Sequence, residues 1–458
     1  MRITTVLFVM LFTGPALVMA APVKHADLTD VLQAAINADP EWAAAQRILD
    51  ADQQLATQGR SALLPSLTAS FSHSRNYRDF EGTGSSDDAR FTNQVAALTL
   101  VQPLFRPDAW QSSRQGKALS SAGEARFEQA RQDFLLRVTE RYLDVLRRWE
   151  DLNTAQAEER ALSRQLEQTQ ERFDVGLVPV TDVEEAKAAH DLSRAGLIMA
   201  QAGFDISRDQ LEALTGQEWN TLAGLREDLP MSGPEPAQPS HWMERARSNN
   251  PQLLASRYEA DAAKASAKQR TAAQLPSVNL VGRLENNKLY HLTDPGGLVG
   301  GALGGTDYDG KSIGIEASMP LFAGGGLNSQ RKEASYRYQA AEEAYRLVWR
   351  DAGQAAQSLA RQVQASALTV TARKQALRSA ESALRATESG YEVGTRNVVD
   401  VLTAQRNMYA TQRDYSAARY DYIIVSLQLQ AAAGDLSTED ISLVNGWLST
   451  DISVELND

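Results

Sequence analysis

The sequence predicts a mainly α-helical chain with a β part, built as one unit repeated twice, with long coiled-coil helices and four strands of a transmembrane β-barrel that several copies must share. Three observations predict it. Landmarks recur in the same order in both halves, two proline-free stretches far exceed an ordinary helix, and each half carries paired segments of alternating polarity.

The repeat comes first because it organises everything else. Asp39-Pro40 returns as Asn250-Pro251 and Leu64-Pro65-Ser66 as Leu275-Pro276-Ser277, both at an offset of 211. Pro103-Leu104-Phe105 returns as Pro320-Leu321-Phe322 at 217, and Val175-Gly176 as Val393-Gly394 at 218, an offset that Gly216 and Gly434 share. The second half therefore gains about six residues between its Leu-Pro-Ser and Pro-Leu-Phe landmarks, where a loop tolerates them. His291 to Lys311, dense in Gly and Asp, is the expected loop. The expected organisation is a first repeat over residues 21–227, a proline-rich linker over 228–240, a second repeat over 241–434 and a C-terminal tail over 435–458.

The alternating segments read as strands. Leu67, Ala69 and Phe71 interleave with Thr68, Ser70 and Ser72; Val278, Leu280 and Leu284 with Asn279, Arg283 and Glu285; Ile313, Ile315, Ala317 and Met319 with Gly314, Glu316 and Ser318. Ala96, Leu98 and Leu100 complete the set less cleanly. Period two gives each strand one apolar and one polar face. Hairpins are expected at about 65–104 and 276–322, with long polar connections over Asn76 to Arg90 and Asn286 to Lys311, as in outer-membrane barrels. Four strands cannot close alone, since such barrels start at about eight. Two copies would give about eight strands and a filled bore, three about twelve and room for a lumen, so a trimer is expected.

Proline is absent from Asp108 to Val178 and from Leu321 to the C-terminus, and glycine from Glu124 to Val175. One helix of roughly 65 residues, on the order of 100 Å, is permitted there. Leu162, Leu166, Thr169 and Phe173, and Leu377, Leu384 and Tyr391, mark coiled-coil seams. Ala376, Ala380, Ala383 and Ala386 allow close helix approach. Turns are expected at 175–181 and 393–398, capped by Gly176 and Gly394, with return helices starting near Thr181-Asp182 and Asn397.

Composition narrows the function. Arg2, the apolar run Val6 to Phe12 and Val18-Met19-Ala20 before Ala21 read as a secretory signal peptide over residues 1–20. There is no cysteine, which excludes disulfides, thiolate metal sites and lipid attachment at an N-terminal cysteine. A net charge of -12 argues against nucleic acid. The five histidines lack metal-ligand spacing, and neither a P-loop nor a G-x-S-x-G elbow occurs, so no enzymatic activity, metal or cofactor is expected.

The block Gly390-Tyr391-Glu392-Val393-Gly394-Thr395-Arg396-Asn397-Val398-Val399-Asp400-Val401-Leu402 resembles the second-repeat tip of the TolC family of outer-membrane exit ducts. Arg172-Phe173-Asp174-Val175-Gly176-Leu177-Val178-Pro179-Val180-Thr181-Asp182-Val183 resembles its first-repeat partner, and the likeness runs from about residue 25 to 435. The resemblance implies a homotrimer with a twelve-stranded outer-membrane barrel, a helical barrel crossing the periplasm and a mixed girdle around it, to which the linker near Asp228 to Ser240 and the tail after Gly434 would belong. It further implies a tapered end that is closed at rest and opens when an inner-membrane efflux pump or ABC transporter and a periplasmic adaptor recruit the duct. By the same resemblance Thr181, Asp182, Tyr391 and Arg396 match a gate lock. Asp400 matches an acidic ring at the pore entrance, where Thr403 replaces a second aspartate. The tips Val175, Gly176, Leu177 and Val393, Gly394, Thr395 match adaptor-docking positions. The alternative weighed is a periplasmic coiled-coil adaptor or structural protein without a pore. Within the family, export of small toxic molecules and type I protein secretion both remain open.

Overall fold

A computed structural model describes residues 25–82, 85–293 and 307–456. The expected signal peptide and part of the expected His291–Lys311 loop lie outside the described residues. In chain order the elements are α1 (Leu28–Ala38), α2 (Pro40–Ser61), β1 (Ser66–Gly82), β2 (Ser85–Phe105), α3 (Pro107–Asp174), α4 (Val180–Thr215) and β3 (Thr221–Leu225). They continue with α5 (Pro239–Asn249), α6 (Pro251–Ala272), β4 (Ser277–Thr293), β5 (Tyr308–Ser318), α7 (Gly326–Glu392), α8 (Val398–Ala433), α9 (Thr438–Asn445) and β6 (Leu448–Glu455).

Matching elements start at the offsets of the sequence landmarks. α1 and α5 have 11 residues each and α2 and α6 have 22 each, all 211 apart; α4 and α8 have 36 each, 218 apart. The landmark Asp39-Pro40 is a helix start: the Asp39 carboxylate accepts the Glu41 N–H at 3.0 Å, while Pro40 occupies a first-turn position whose N–H would be unpaired anyway. Asn250-Pro251 does the same for α6, with Asn250 Oδ1 accepting the Leu253 N–H at 3.0 Å. α3 and α7 run for 68 and 67 residues, each about 100 Å long. No described helix is long and apolar enough to cross a membrane.

The strands form one antiparallel sheet in the order β1-β2-β4-β5. Its register gathers the alternating residues onto one face. Leu67 lies opposite Leu100 and Ala69 opposite Leu98 across β1 and β2; Leu98 lies opposite Leu284 across β2 and β4; Leu280 and Gly282 lie opposite Ile315 and Ile313 across β4 and β5. Directly opposed residues share a face, so the sheet is apolar on one side and carries Thr68, Ser70, Thr99, Arg283 and Glu316 on the other. The apolar face is bare in one chain: Phe71, Leu98, Leu284, Ile313 and Ile315 are exposed. Among the described residues β1 and β5 are the outer strands of this sheet, each with one edge outside the ladder. Both hairpins correct an expectation: the first ladder runs unbroken from Ser66↔Val101 to Gly82↔Ser85 where a long polar loop from Asn76 to Arg90 was expected, and in the second the ends of the expected Asn286–Lys311 connection are strand, with β4 continuing to Thr293 and Asn287 opposite Tyr308. Polar, alternating residues continue a strand as well as they make a loop, and polarity alone does not distinguish the two.

Where the helices pass the second sheet (β3 and β6, antiparallel), the main core forms. Leu28 and Val31 of α1, Leu143 and Leu146 of α3, Leu211 of α4, Trp242 of α5 and Ile423 of α8 meet there. The linker is pinned to this girdle: the Tyr422 hydroxyl donates to the Ser232 carbonyl (2.9 Å) and Trp242 Nε1 to the Pro236 carbonyl (2.9 Å). The C-terminal segment packs on the same core through Ile441, Val444, Val454 and Leu456. Asn445 on α9 ties the two chain ends, accepting the Leu28 N–H at 3.0 Å and donating to Asp27 at 3.1 Å.

Two buried tyrosines make this core sensitive to alkali. Tyr142 donates to the Ala223 carbonyl at 2.7 Å, and Tyr420 to Glu150 at 2.7 Å. Burial, reinforced by Asp27 and Asp30 for Tyr142 and by Glu150 for Tyr420, raises both hydroxyls far above the ordinary value of 10.0. A raised folded-state value means the stabilisation is complete below the unfolded value and is lost as pH rises past it. The thermal midpoint of the purified protein is therefore expected to hold up to pH about 9.5 and to fall above pH about 10. With both tyrosines replaced by phenylalanine the protein starts less stable by about 1 kcal/mol per lost hydrogen bond, yet its alkaline fall is shallower. An equally steep fall in that variant would refute the assignment.

Candidate functional site

The site assembles where the two long helices turn back. α3 ends at Asp174 and α4 begins at Val180; α7 ends at Glu392 and α8 at Val398 begins the return. Both turns close the same way. The Leu177 N–H donates to the Arg172 carbonyl (2.8 Å) and the Gly176 N–H to the Phe173 carbonyl (2.8 Å), while Thr395 and Gly394 bond Gly390 (2.8 Å) and Tyr391 (3.1 Å) identically. The pattern needs a left-handed residue just past the helix, and Gly176 and Gly394 supply it at φ 75 and 79. Val175, Leu177 and Val393, all more than two-thirds exposed, project from the tips, with Thr395 exposed beside them. Apolar side chains held on a rigid hydrogen-bonded turn, with no cover in this chain, suit a partner surface.

Just above the tips a small cluster joins the two hairpins. Leu162 of α3, Ala186 and Ala189 of α4, and Val398 and Leu402 of α8 are buried together, with Leu166 and Tyr391 packed against them. Tyr391 closes the α7 end of this seam. The Arg172 guanidinium sits 4.6 Å from its ring centre, within cation–π range, and its buried hydroxyl has no hydrogen-bond partner. Tyr391 is the repeat equivalent of Phe173 and Asp400 of Asp182, each pair 218 apart.

The four residues matched to a lock are only partly brought together. Tyr391 lies in the seam. Arg396 pairs at 3.8 Å with Asp400 of its own coil, both groups well exposed at 60% and 39%, so this contact contributes about 1 kcal/mol or less. Thr181 and Asp182 lie in the first turn of α4, where the Thr181 hydroxyl reaches Asp182 at 3.5 Å. Among the described residues neither bonds Tyr391 or Arg396. They are also not the cap of α4: Pro179, extended and without a side-chain cap bond, occupies that position, and the helix begins at Val180. Asn397 does cap α8, accepting the Asp400 N–H at 2.8 Å, and Asp400 accepts the Asn397 N–H in return (3.3 Å). Asp400 therefore serves the helix start and Arg396 together. Thr403, exposed, lies one turn further along α8.

Two contributors escaped the sequence reading. Arg172 stands beside the seam aromatic Phe173 in sequence, yet the ring it covers is Tyr391 of the other repeat, which no local pattern announces. Gly390 makes room for Arg396: a Cβ there would lie 2.8 Å from Arg396 Cγ. Among the described residues no group of three or more His, Asp or Glu could hold a metal ion.

Comparison with known proteins places the chain in one family. The sequence profile of the family described as outer membrane efflux protein matches residues 31–217 and 242–435, both repeats. The outer membrane protein TolC of Vibrio cholerae is 32% identical over 96% of this chain and 98% of its own length. The alkaline protease secretion protein AprF of Pseudomonas aeruginosa is 28% identical over 91% of this chain and 86% of its own. Among solved structures, the outer membrane protein VceC of Vibrio cholerae superposes with a TM-score of 0.74 at 21% identity, covering 89% of this chain and 96% of VceC. The chain belongs to the outer membrane efflux protein family and is an outer-membrane exit duct with a long periplasmic extension.

Proposed function

We propose that three copies assemble into a passive duct, gated at its periplasmic tip, which catalyses no reaction of its own. The observation that carries this reading is the four-stranded sheet with one bare apolar face and two free edges, set at one end of helices about 100 Å long. Three such sheets joined edge to edge give twelve strands and a lumen. A second unpartnered feature supports the same assembly: Leu192, Met199 and Ile206 of α4 are exposed at a spacing of seven, a coiled-coil seam waiting for a neighbouring copy.

The partners follow from the tips. Val175, Gly176 and Leu177, and Val393, Gly394 and Thr395, form the surface that a periplasmic adaptor engages, and the energy for export comes from an inner-membrane efflux pump or ABC transporter. The cargo class, small toxic molecules, type I secreted proteins or both, is set by those partners and not by the tube. Arg396 is the latch. It leans on Gly390, shares Asp400, and in the closed assembly reaches Asp182 and Thr181 on an adjoining coil. Links this exposed are weak enough for an adaptor to undo. Three Asp400 carboxylates around the axis form one acidic ring at the entrance, with Thr403 in place of a second.

Single-channel conductance in planar lipid bilayers tests this. Wild type is expected to conduct little, and Arg396→Ser to conduct several-fold more. Gly390→Ala is expected to move in the same direction, because the added methyl displaces the Arg396 side chain. Equal conductance in wild type and Arg396→Ser would remove the latch and keep the duct; no pore from folded, inserted protein would remove the duct. Asp400→Asn is expected to lower the preference for cations over anions, measured as a shift of reversal potential in a salt gradient. An unchanged reversal potential would place Asp400 away from the conduction path.

A further inference from the structure

Two levels of polar links join α8 to α3 between the girdle and the tip. At the first, Glu150 of α3 accepts from the Tyr420 hydroxyl (2.7 Å) and the Ser416 hydroxyl and lies 3.7 Å from Arg419, whose guanidinium donates to the Arg226 carbonyl. Ser416, Arg419 and Tyr420 are buried, so breaking this level strands several polar groups away from water. It behaves as a fixed anchor.

The second level lies eight residues further along α3 (150 to 158), about 12 Å towards the tip. There Arg413 of α8 donates to Glu158 at 2.6 Å, and the Tyr409 hydroxyl donates to the Ala157 carbonyl at 3.2 Å. Arg413 is 36% exposed and Glu158 13%, so water can replace the arginine's bond at small cost while the carboxylate depends on it. Next to Arg413, Asp414 binds Arg373 of α7 at 2.6 Å, so α7 moves with α8. From Glu158 to the end of α3 is a further sixteen residues (158 to 174), about 24 Å.

We propose that Arg413 and Glu158 are a positioning pair that sets where the α7/α8 coil begins to part from α3, and that they hold the gate shut jointly with the tip. The inference rests on the gated-duct reading. With the pair intact, the last 24 Å or so of the coil is held only by the small apolar cluster around Leu162 and by Arg172 over Tyr391, and it swings when those contacts give. Without it, this level is held by the single neutral bond from Tyr409 to the Ala157 carbonyl; once that bond gives, the free length grows to about 36 Å from the Glu150 anchor, and a given bend of the coil displaces the tip further. Nothing in this requires Arg413 to touch the cargo.

Conductance recordings of Arg413→Gln, Glu158→Gln, the exchanged pair Arg413→Glu with Glu158→Arg, and Arg396→Ser decide it. Each is first checked for the wild-type oligomer by size-exclusion chromatography. Both single changes are expected to raise the open fraction about five-fold, with the exchanged pair returning it towards wild type. An exchanged pair as open as the singles would show that loss of packing, not the charge link, opens the gate, and would overturn the proposal. Singles indistinguishable from wild type while Arg396→Ser opens would overturn it and leave the tip latch standing. Failure of every variant to conduct, with the oligomer intact, would overturn the gated-duct reading and this inference with it.

Discussion

Backbone pairing in lipid is the constraint on which this architecture depends. Inside a bilayer an unpaired N–H or C=O has no water to turn to, so strands cross only as a closed barrel. This chain offers four strands, β1-β2-β4-β5, and an outer edge on each side. The bare apolar face formed by Phe71, Leu98, Leu284 and Ile313 belongs against hydrocarbon, and both edges must find partners in other copies. Membership of the barrel therefore requires assembly before anything else can work. The duplication serves that requirement, since each repeat supplies one hairpin above and one coiled pair below.

Below the sheet, stability is graded along the helices. The girdle packs the large buried side chains Trp242, Tyr142 and Tyr420 and satisfies their polar atoms with backbone carbonyls and Glu150. Towards the tip the contacts thin to one small cluster of alanine, valine and leucine with Tyr391 at its margin. Charged links there are exposed and individually weak. A tube firm in the middle and lightly held at its end is what a gate operated by another protein needs, because the free energy of opening must lie within what docking can supply.

Much of this was legible in the residues. Asp39-Pro40 and Asn250-Pro251 announce helix starts, Gly176 and Gly394 announce the turns, and Leu67-Ala69-Phe71 announces an amphipathic strand, each through a local rule that holds wherever the residues occur. What local rules miss is pairing. The ladder of β1 with β2 out to Gly82↔Ser85 involves polar alternation that also suits a loop. The helix α4 begins at Val180 behind Pro179, ahead of Thr181 and Asp182, whose side chains suit a helix start equally well. Arg172 over Tyr391, and Arg413 against Glu158, join residues more than two hundred positions apart, and nothing in either neighbourhood points to the other. Only the family resemblance put the C-terminal segment in the girdle, since Ile441, Val444 and Leu456 find their place only once the girdle exists.

Native mass spectrometry of the detergent-solubilised particle tests the central claim most directly, because it counts chains without reference to gating or cargo. Three chains per particle, stable on dilution in detergent, is the result this account predicts. A folded particle of one chain would contradict it outright, since four strands would then have to face lipid with open edges, and a particle of two would close a barrel too narrow to serve as a duct.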